Sequence, residues 1–369
     1  MNSSFSKKDT AAIKGIAILI MMLHHCFMQE KRFEGFTISF YPFSQDFIVQ
    51  ISQAGKCCVG IFLFLSAYGM TCSFLKLNEQ LEFTSLDAIK LTIKRYINLI
   101  SGFLIAYVFC FIGSWIFTPT PLKFYKSWKT FPLYMLLDMF GLANLLDTPS
   151  LVGTWWYMGL AIVLIVLFPL LLKIYKQIGV LLVPAIICVF RLLNLEVGDY
   201  SRWMLLASVG IFFAQKDFFG KLKKWCVCKN NKVLDCCIRF FIVSCLLVLS
   251  ICLSCWNYGK LNYMTMIFDL FITLMVVIWN YLFFINLPII KEILQYFGKH
   301  SMNIFLVHTF IRTRWFYSYT YSFSHFMLII IMLLLESLLI SIVLEAVKKY
   351  SGYNRLVKKV EGIVLEKIG

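Results

Sequence analysis

The chain has 369 residues, of which 60% are hydrophobic and only 15% are charged. A soluble globular protein carries about 25% charged residues to cover its surface, so this composition excludes a soluble fold. The net charge of +16 would suggest a nucleic-acid partner in a soluble protein. We expect no nucleic acid here, because the cytoplasmic loops of multi-pass membrane proteins collect Lys and Arg.

The apolar runs predict an all-α bundle of about ten transmembrane helices, if each helix needs about 17–25 mostly apolar residues. In chain order the predicted spans are 11–28, 57–75, 97–117, 153–172, 178–195, 203–216, 239–256, 264–286, 301–312 and 325–347. A further apolar stretch at 131–145 is interpreted as an interfacial or re-entrant helix inside an outer loop, 118–152. Residues 1–369 are expected to form one transmembrane domain.

The distribution of basic residues sets the predicted orientation. With ten spans and a cytoplasmic N-terminus, 24 of the 35 Lys and Arg residues fall on the cytoplasmic side, as the positive-inside rule requires. If 131–145 crossed the membrane as well, the seven basic residues of 216–239 would move outside. We therefore expect both termini in the cytoplasm and a multi-pass location in the plasma membrane.

Four of the 13 cysteines lie in one basic loop, at Cys226, Cys228, Cys236 and Cys237. Their spacing does not match the paired C-x2-C arrangement of zinc sites, which favours reduced thiols. A zinc or redox site stays the alternative interpretation, and the sequence predicts no metal site elsewhere.

Ionisable side chains inside a membrane span are costly, so each is a candidate functional residue. In the first span Lys14 and His25 are eleven residues apart, which places them within roughly 20° of the same helix face and about 16 Å apart along the axis. His24 points about 100° away. Histidine suits proton transfer near neutral pH, and the Lys below it suits a phosphate. The alternative is a structural His with a Lys that snorkels to the interface.

The second span contains small residues at Ser66, Ala67 and Gly69, with Tyr68 between them. Small residues favour close helix packing in membranes. The sequence therefore favours a structural role for this stretch.

Basic and aromatic clusters mark the ends of three other spans. Lys94 and Arg95 precede the third span and are either a topology signal or part of a phosphate-binding mouth. Aromatic residues at Trp155 and Trp156, and those around Arg314, favour a membrane-interface belt. A sugar-binding platform is the alternative for these clusters.

The ninth span is predicted to begin after a turn at Gly298, with Ser301 as its N-cap. Asn303 and His308 would then be polar groups inside the bundle. Glu336, a carboxylate in a long apolar run, is expected to face the bundle and to find a partner there.

Four stretches of the chain resemble the acyltransferase-3 family, the integral-membrane O-acyltransferases of bacterial surface polysaccharides. They are IKGIAILIMMLHH, VGIFLFLSAYGM, GTWWYMGLAIVLIVLFPLL and FGKHSMNIFLVHTFI, in the order expected for the family. The family usually has Arg where this chain has Lys14. It often has two Arg near the third span, of which only Arg95 is present, with Asn98 at the second place. Its Ser-Gly in the second span is Ser66-Ala67 here, and no soluble esterase-like domain is expected after the last span.

The resemblance implies that an acyl group, commonly acetyl, passes from cytoplasmic acyl-CoA to a hydroxyl of an extracytoplasmic or lipid-linked glycan. His25 would be the general base or a transient acyl carrier, and Lys14, Lys94 and Arg95 would bind the charged part of CoA. The supporting or acceptor-side candidates are His24, Ser66, Tyr68, Trp155, Trp156, Asn303, His308, Arg314 and Glu336. Acyl-CoA would be a co-substrate rather than a bound cofactor.

Membrane lipids, acyl-CoA and the glycan acceptor are the expected partners, and the oligomeric state is left open. The alternative function is a transporter or flippase for a glycolipid or a small solute. The absence of an evident inverted repeat in the sequence weighs against that alternative. In a third interpretation, a sensory or structural membrane protein, the His residues serve only in packing.

Overall fold

The computed structural model describes residues 5–77, 83–118, 124, 125, 127 and 129–368. These residues form a helical fold, which confirms the all-α class, with one isolated bridge between Ser39 and His325. The α-helices of the described residues are α1 (Lys7–Phe27), α2 (Gln45–Ala54), α3 (Cys57–Leu77), α4 (Ser85–Phe117), α5 (Phe131–Met139), α6 (Trp156–Ile178), α7 (Leu182–Leu192), α8 (Met204–Gln215), α9 (Phe218–Lys224), α10 (Lys232–Trp256), α11 (Tyr263–Leu282), α12 (Pro288–Phe310), α13 (Tyr317–Tyr321), α14 (Phe326–Tyr350) and α15 (Tyr353–Lys367).

Seven stretches of the described chain are long and apolar enough to cross a membrane. They are Lys7–Phe27, Gln45–Lys76, Ser85–Phe117, Gly153–Leu192, Lys232–Trp256, Tyr263–Asn286 and Phe326–Tyr350. The predicted spans at 178–195 and 203–216 correspond to α7 and α8, which have only 11 and 12 residues. Such helices reach less than about 20 Å, short of the roughly 30 Å hydrocarbon core. The total of ten spans and the orientation of the termini stay predictions.

The prediction for the start of the ninth span is wrong. Helix α12 begins at Pro288 and runs through to Phe310, so Gly298 lies inside the helix rather than in a turn, and Ser301 is not an N-cap. Glycine is needed there because a Cβ on Gly298 would overlap the backbone carbonyl of Ala11 in α1. A polar, charge-bearing first half hid this helix from a search for apolar runs.

The chain divides into two compact units. The first unit comprises Met1–Gln29, Gln45–Glu82 and Leu170–Lys299. The second unit comprises Glu30–Ser44, Phe83–Pro169 and His300–Gly369. The assignment of residues 1–369 to one domain stays a prediction.

In the first unit α3 packs along α8 and α11, and α1 packs against α2 and α3. Glycine allows α8 to approach α3 closely. A Cβ on Gly210 of α8 would lie 2.8 Å from the carbonyl oxygen of Phe64 and 3.0 Å from the Cβ of Ala67. The expected close packing of α3 therefore holds at Ala67. It does not hold at Gly69, where nothing lies within 4 Å of an added Cβ.

In the second unit α5 runs back along α4. The Phe131 ring lies 6.2 Å from that of Phe111 near the C-terminal end of α4, whereas the Tyr96 hydroxyl, far nearer the start of α4, donates to the carbonyl oxygen of Phe140 at 3.2 Å. Fifteen residues of α4 separate these two contacts, which is about 22 Å along a helix. Helix α5 thus lies along α4, and the assignment of 131–145 to an interfacial or re-entrant helix stays a prediction.

The buried carboxylate of Asp138 fixes the segment that contains α5. Asp138 accepts hydrogen bonds from the backbone N–H of Leu151 at 2.7 Å, from Ser150 Oγ at 2.8 Å and from the Tyr125 hydroxyl at 2.8 Å. The Tyr125 hydroxyl lies 2.6 Å from that of Tyr107 in α4. A buried carboxylate needs such donors, and here they join α5 to residues before and after it, with Tyr125 linking these bonds to α4.

Candidate functional site

Lys14 and His25 lie on one unbroken helix, α1. The helix starts at a capping box, in which Ser6 Oγ accepts from the N–H of Asp9 at 3.1 Å and Asp9 accepts from the N–H of Ser6 at 2.9 Å. Because α1 has no break between residues 14 and 25, the two side chains share one helix face, with about 16 Å between them along the axis. Both residues are half-buried.

His24 has a different environment from its neighbour. It is buried, with 6% of its surface exposed, and its Nδ1 lies 2.7 Å from the carbonyl oxygen of Ser52 in α2. A carbonyl oxygen can only accept, so Nδ1 carries the proton. The contact ties α1 to α2, which gives His24 a structural role.

Ser66 and Tyr68 both lie on α3 in the first unit. Ser66 is exposed, and its hydroxyl donates to the carbonyl oxygen of Phe62 one turn earlier, at 2.7 Å. Tyr68 is buried among aromatic rings, 5.4 Å from Phe5 and 5.7 Å from Phe219. The ring contacts of Tyr68 are those of helix packing, whereas the hydrogen bond of Ser66 stays within α3.

Lys94 and Asn98 face helix α15 in the second unit. Lys94 Nζ lies 3.1 Å from Oε1 of Glu361, and Asn98 Nδ2 lies 3.4 Å from Oε2 of the same residue. Tyr353, at the start of α15, donates to the carbonyl oxygen of Ser101 at 2.9 Å. The ammonium group of Lys94, which the family resemblance assigned to CoA binding, is thus paired with the carboxylate of Glu361. The neighbouring Arg95 is half-buried.

Trp155 does not belong to a membrane-interface belt. It is buried, and its indole Nε1 donates to the carbonyl oxygen of Leu306 in α12 at 3.1 Å. Its ring packs at 4.9 Å from Phe103 and 5.4 Å from Phe310. The tryptophan therefore joins α4 and α12 at the start of α6, while Trp156 is half-buried beside it.

His308 is fully buried in α12 and bonds through both ring nitrogens. Its Nδ1 donates to the carbonyl oxygen of Phe305 at 2.7 Å, so Nε2 is the acceptor, and Thr309 Oγ1 lies 3.0 Å from it. The hydroxyl of Thr154 donates to Thr309 in turn, at 3.1 Å. The chain of bonds holds His308 in one tautomer and connects it to the residue before Trp155.

Asn303 lies in a polar cluster that the sequence did not predict. Its Nδ2 donates to Oε1 of Glu345 at 2.7 Å, and its Oδ1 accepts from Lys348 Nζ at 3.3 Å. Lys348 completes the cluster with an ion pair to Glu345 at 2.8 Å. The carboxylate expected to find a partner, Glu336, does not find one, since its buried Oε2 has no hydrogen-bond partner among the described residues.

Arg314 lies on a π-helical turn, Ile311–Trp315, that continues α12. Its guanidinium carbon is 4.0 Å from the centre of the Phe124 ring and 5.2 Å from that of Phe310. The Arg314 guanidinium thus stacks on two aromatic rings, and a membrane-interface belt and a sugar-binding platform stay the two alternatives for this cluster.

A buried ion pair in the first unit escaped the sequence interpretation. Arg202 Nε and Nη2 lie 2.7 and 2.6 Å from Oδ2 of Asp269, and both side chains are about 8% exposed. The signal was present, because Asp269 stands inside the predicted span 264–286 and meets the same criterion that singled out Glu336. Two N–H groups of Arg202, both directed at Oδ2, offset the cost of burying this carboxylate.

The 13 cysteines are all free thiols, and Cys226, Cys236 and Cys237 are exposed. Within the described residues no group of three or more His, Cys, Asp or Glu side chains is arranged to hold a metal ion. The loop is ordered instead by Asp235, which accepts from the N–H groups of Val227 and Cys228 at 2.6 and 3.1 Å.

The candidate residues divide between the two units. The first unit holds Lys14, His24, His25, Ser66 and Tyr68, and brings His24 and His25 together with ring centres 5.1 Å apart. The second unit holds Lys94, Arg95, Trp155, Trp156, Asn303, His308, Arg314 and Glu336. Within it Trp155 bonds to Leu306 of α12, and its neighbour Thr154 is linked through Thr309 to His308 of the same helix. Asn303 bonds instead to Glu345.

A family model described as "Acyltransferase domain", that of the acyltransferase-3 family, matches residues 11–346. No curated protein and no solved structure matches the chain. The matched range contains every candidate residue and ends before α15.

Proposed function

The chain belongs to the acyltransferase-3 family and is thus a membrane acyltransferase, and we propose that it moves an acetyl group from cytoplasmic acetyl-CoA to a glycan hydroxyl. The acceptor would be an extracytoplasmic or lipid-linked glycan. The observation that carries the proposal is the placement of Lys14 and His25 on one face of α1 within the matched range.

His25 is the proposed general base. Its neighbour His24 is held by the carbonyl oxygen of Ser52, whereas His25 is half-buried, so part of its side chain can be reached. An imidazole that removes the proton from the acceptor hydroxyl raises the nucleophilicity of the oxygen toward the thioester carbonyl. The C–S bond of the thioester then breaks, an ester C–O bond forms, and the proton passes to the departing CoA thiolate.

Lys14 is the proposed ligand of the CoA phosphates. It lies on the same face of α1 as His25, about 16 Å nearer the start of the helix. Its ammonium group carries a charge that a phosphate can pair with. As a point charge, Lys binds phosphate without the two-pronged geometry of Arg. Arg95 and Lys94 are further proposed donor ligands, and a phosphate at Lys94 would compete with the carboxylate of Glu361, 3.1 Å from Nζ.

Acyl transfer is tested with purified protein, radiolabelled acetyl-CoA and a glycan fraction from membranes of the source cells. We expect label in the glycan that is released by mild base, as an ester would be, and none when acetyl-CoA is replaced by free acetate. Absence of transfer to any glycan or lipid fraction would contradict the proposal. Translocation of a glycolipid across vesicles without acyl-CoA would instead support the flippase alternative.

A further inference from the structure

The π-helical turn Ile311–Trp315 carries three buried N–H groups that find no hydrogen-bond acceptor among the described residues. Arg312 Nε, Arg314 Nη1 and Trp315 Nε1 are buried atoms, and none has a hydrogen-bond partner among the described residues. Buried donors are nearly always paired in folded proteins. π-Helical turns also occur preferentially at functional sites. Three unpaired donors on one such turn indicate a ligand that supplies acceptor atoms.

The positive charge of Arg312 and Arg314 is not neutralised by carboxylates of the described residues around the turn. No Asp or Glu occurs between Glu292 and Glu336, and in the part of the chain that the structure describes no carboxylate lies within 4.0 Å of Arg312 or Arg314. Arg312 is nevertheless only 6% exposed. Burial of a cation without a counter-charge is costly, so the missing partner is expected to be an anion.

The donors are held in place by aromatic rings. Arg314 lies over the rings of Phe124 and Phe310 at 4.0 and 5.2 Å, and the Trp315 ring centre is 5.3 Å from that of Phe310. A Cβ on Gly113 of α4 would overlap the Trp315 ring, so this ring packs directly on the α4 backbone. Stacking fixes the faces of the Arg314 guanidinium and the Trp315 indole, and their unpaired N–H atoms lie buried at this turn.

We propose that this turn binds a phosphoryl group of the acceptor, which makes the acceptor a phosphorylated glycan such as one linked to a lipid through phosphate. The assignment rests on the proposed function and adds the class of acceptor to it. A phosphoryl group carries a charge of about −1.5 to −2 and matches the two arginines of the turn, whereas a carboxylate carries a single charge. The turn follows α12 on the predicted outer side, where the acceptor is expected.

The test uses the full-length protein in detergent and inorganic pyrophosphate as the probe, with sodium chloride at equal ionic strength as the reference. We expect pyrophosphate to raise the thermal unfolding midpoint of the wild type in a saturable manner. Arg312→Gln is expected to weaken the apparent Kd for pyrophosphate by about tenfold or more, since a charge-assisted bond is lost. Arg355→Gln, which removes an exposed arginine from α15, is the matched control and should bind as the wild type does.

Two further variants keep the test decisive if Arg312→Gln does not fold. Trp315→Phe keeps the ring and removes only the Nε1 donor, and Arg312→Lys keeps the charge and removes the fork. Each is expected to weaken pyrophosphate binding severalfold. A wild-type midpoint that pyrophosphate does not change, or equal affinity in all variants, would overturn the proposal.

Vesicles distinguish the two sources of a phosphoryl group. Pyrophosphate binding is compared in phosphatidylcholine vesicles with and without phosphatidylglycerol. Unchanged affinity in phosphatidylglycerol vesicles and in the presence of coenzyme A supports the acceptor. Competition by phosphatidylglycerol would show a lipid headgroup site, and competition by coenzyme A would show a donor site; either result would overturn the assignment to the acceptor. The assay contains no acyl-CoA, so a protein that binds pyrophosphate but transfers no acetyl group would contradict the proposed function and leave the site standing.

Discussion

The Nδ1 atom of His24 donates a hydrogen bond of 2.7 Å to the carbonyl oxygen of Ser52. This bond fixes the tautomer of His24, ties α1 to α2 and separates the roles of two adjacent histidines. The ring of His24 is held by the fold, and His25 occupies the face of α1 that also carries Lys14.

His24→Ala is therefore expected to destabilise the protein without removing its chemistry. Loss of the ring removes one of two hydrogen bonds to the Ser52 carbonyl oxygen, which also accepts from the N–H of Gly55 at 3.1 Å, and this loss costs about 0.5–1.5 kcal/mol. A lower unfolding midpoint in detergent with acetyl transfer per folded molecule within about threefold of the wild type is the expected result. A folded His24→Ala protein that transfers no acetyl group would show that this histidine takes part in the reaction.

Lys14 offers a test of how the donor is held. Lys14→Arg restores the fork that is common in the family, so we expect the KM for acetyl-CoA to stay the same or to fall. Lys14→Gln removes the charge and should raise KM by about tenfold, since a charge-assisted bond is lost. Steady-state kinetics with acetyl-CoA as the varied substrate measure both. Equal KM values for the Gln and Arg variants would remove Lys14 from the donor site.

Glu361 competes with any phosphate for Lys94, because its carboxylate lies 3.1 Å from the ammonium group. If Lys94 binds CoA, Glu361→Gln should lower the KM for acetyl-CoA by about twofold to threefold, as expected for one exposed ion pair. Glu366→Gln removes an exposed carboxylate from the same helix and should leave KM unchanged. The same KM in both variants would assign Lys94 a structural role in docking α15.

The ion pair of Arg202 and Asp269 predicts a large stability effect that is removed by a second change. Asp269→Ala leaves a buried guanidinium without its partner, which is expected to cost about 3–5 kcal/mol. Arg202→Met combined with Asp269→Leu removes both charges and should recover most of this loss. Unfolding midpoints of the single and double variants measure the coupling, and a double variant as unstable as Asp269→Ala would contradict it.

The apolar pattern of the sequence was sufficient to predict the helical class and the seven long apolar stretches of the described chain. The interpretation of 131–145 as a non-spanning segment stays a prediction. The predicted ninth span, 301–312, covers only the second half of α12. The first half of this helix carries polar and charged residues, so a criterion based on hydropathy excludes it. Gly298 was misinterpreted for the same reason: a glycine beside charged residues is typical of a turn, but the close approach of Ala11 is a tertiary contact. Single-sequence patterns contain no information about which backbone lies opposite.

The candidate site shows the same limit at the level of partners. Helix periodicity was enough to place Lys14 and His25 on one face. It could not show that Ser52 binds His24, that Glu361 neutralises Lys94, or that Leu306 accepts from Trp155. Each of these partners is distant in the chain, so only the folded structure distinguishes a reachable side chain from one already engaged.

Acetyl transfer by a His25→Ala variant, compared with the wild type at equal amounts of folded protein, tests directly whether His25 is the catalytic base. The matched control is His325→Asn, since His325 caps α14 by accepting from the N–H of Met327 and Asn preserves that cap. The account predicts wild-type transfer from radiolabelled acetyl-CoA in the control and a loss of at least about 100-fold in His25→Ala. Transfer at the wild-type rate by folded His25→Ala would contradict the assignment of His25 as the catalytic base.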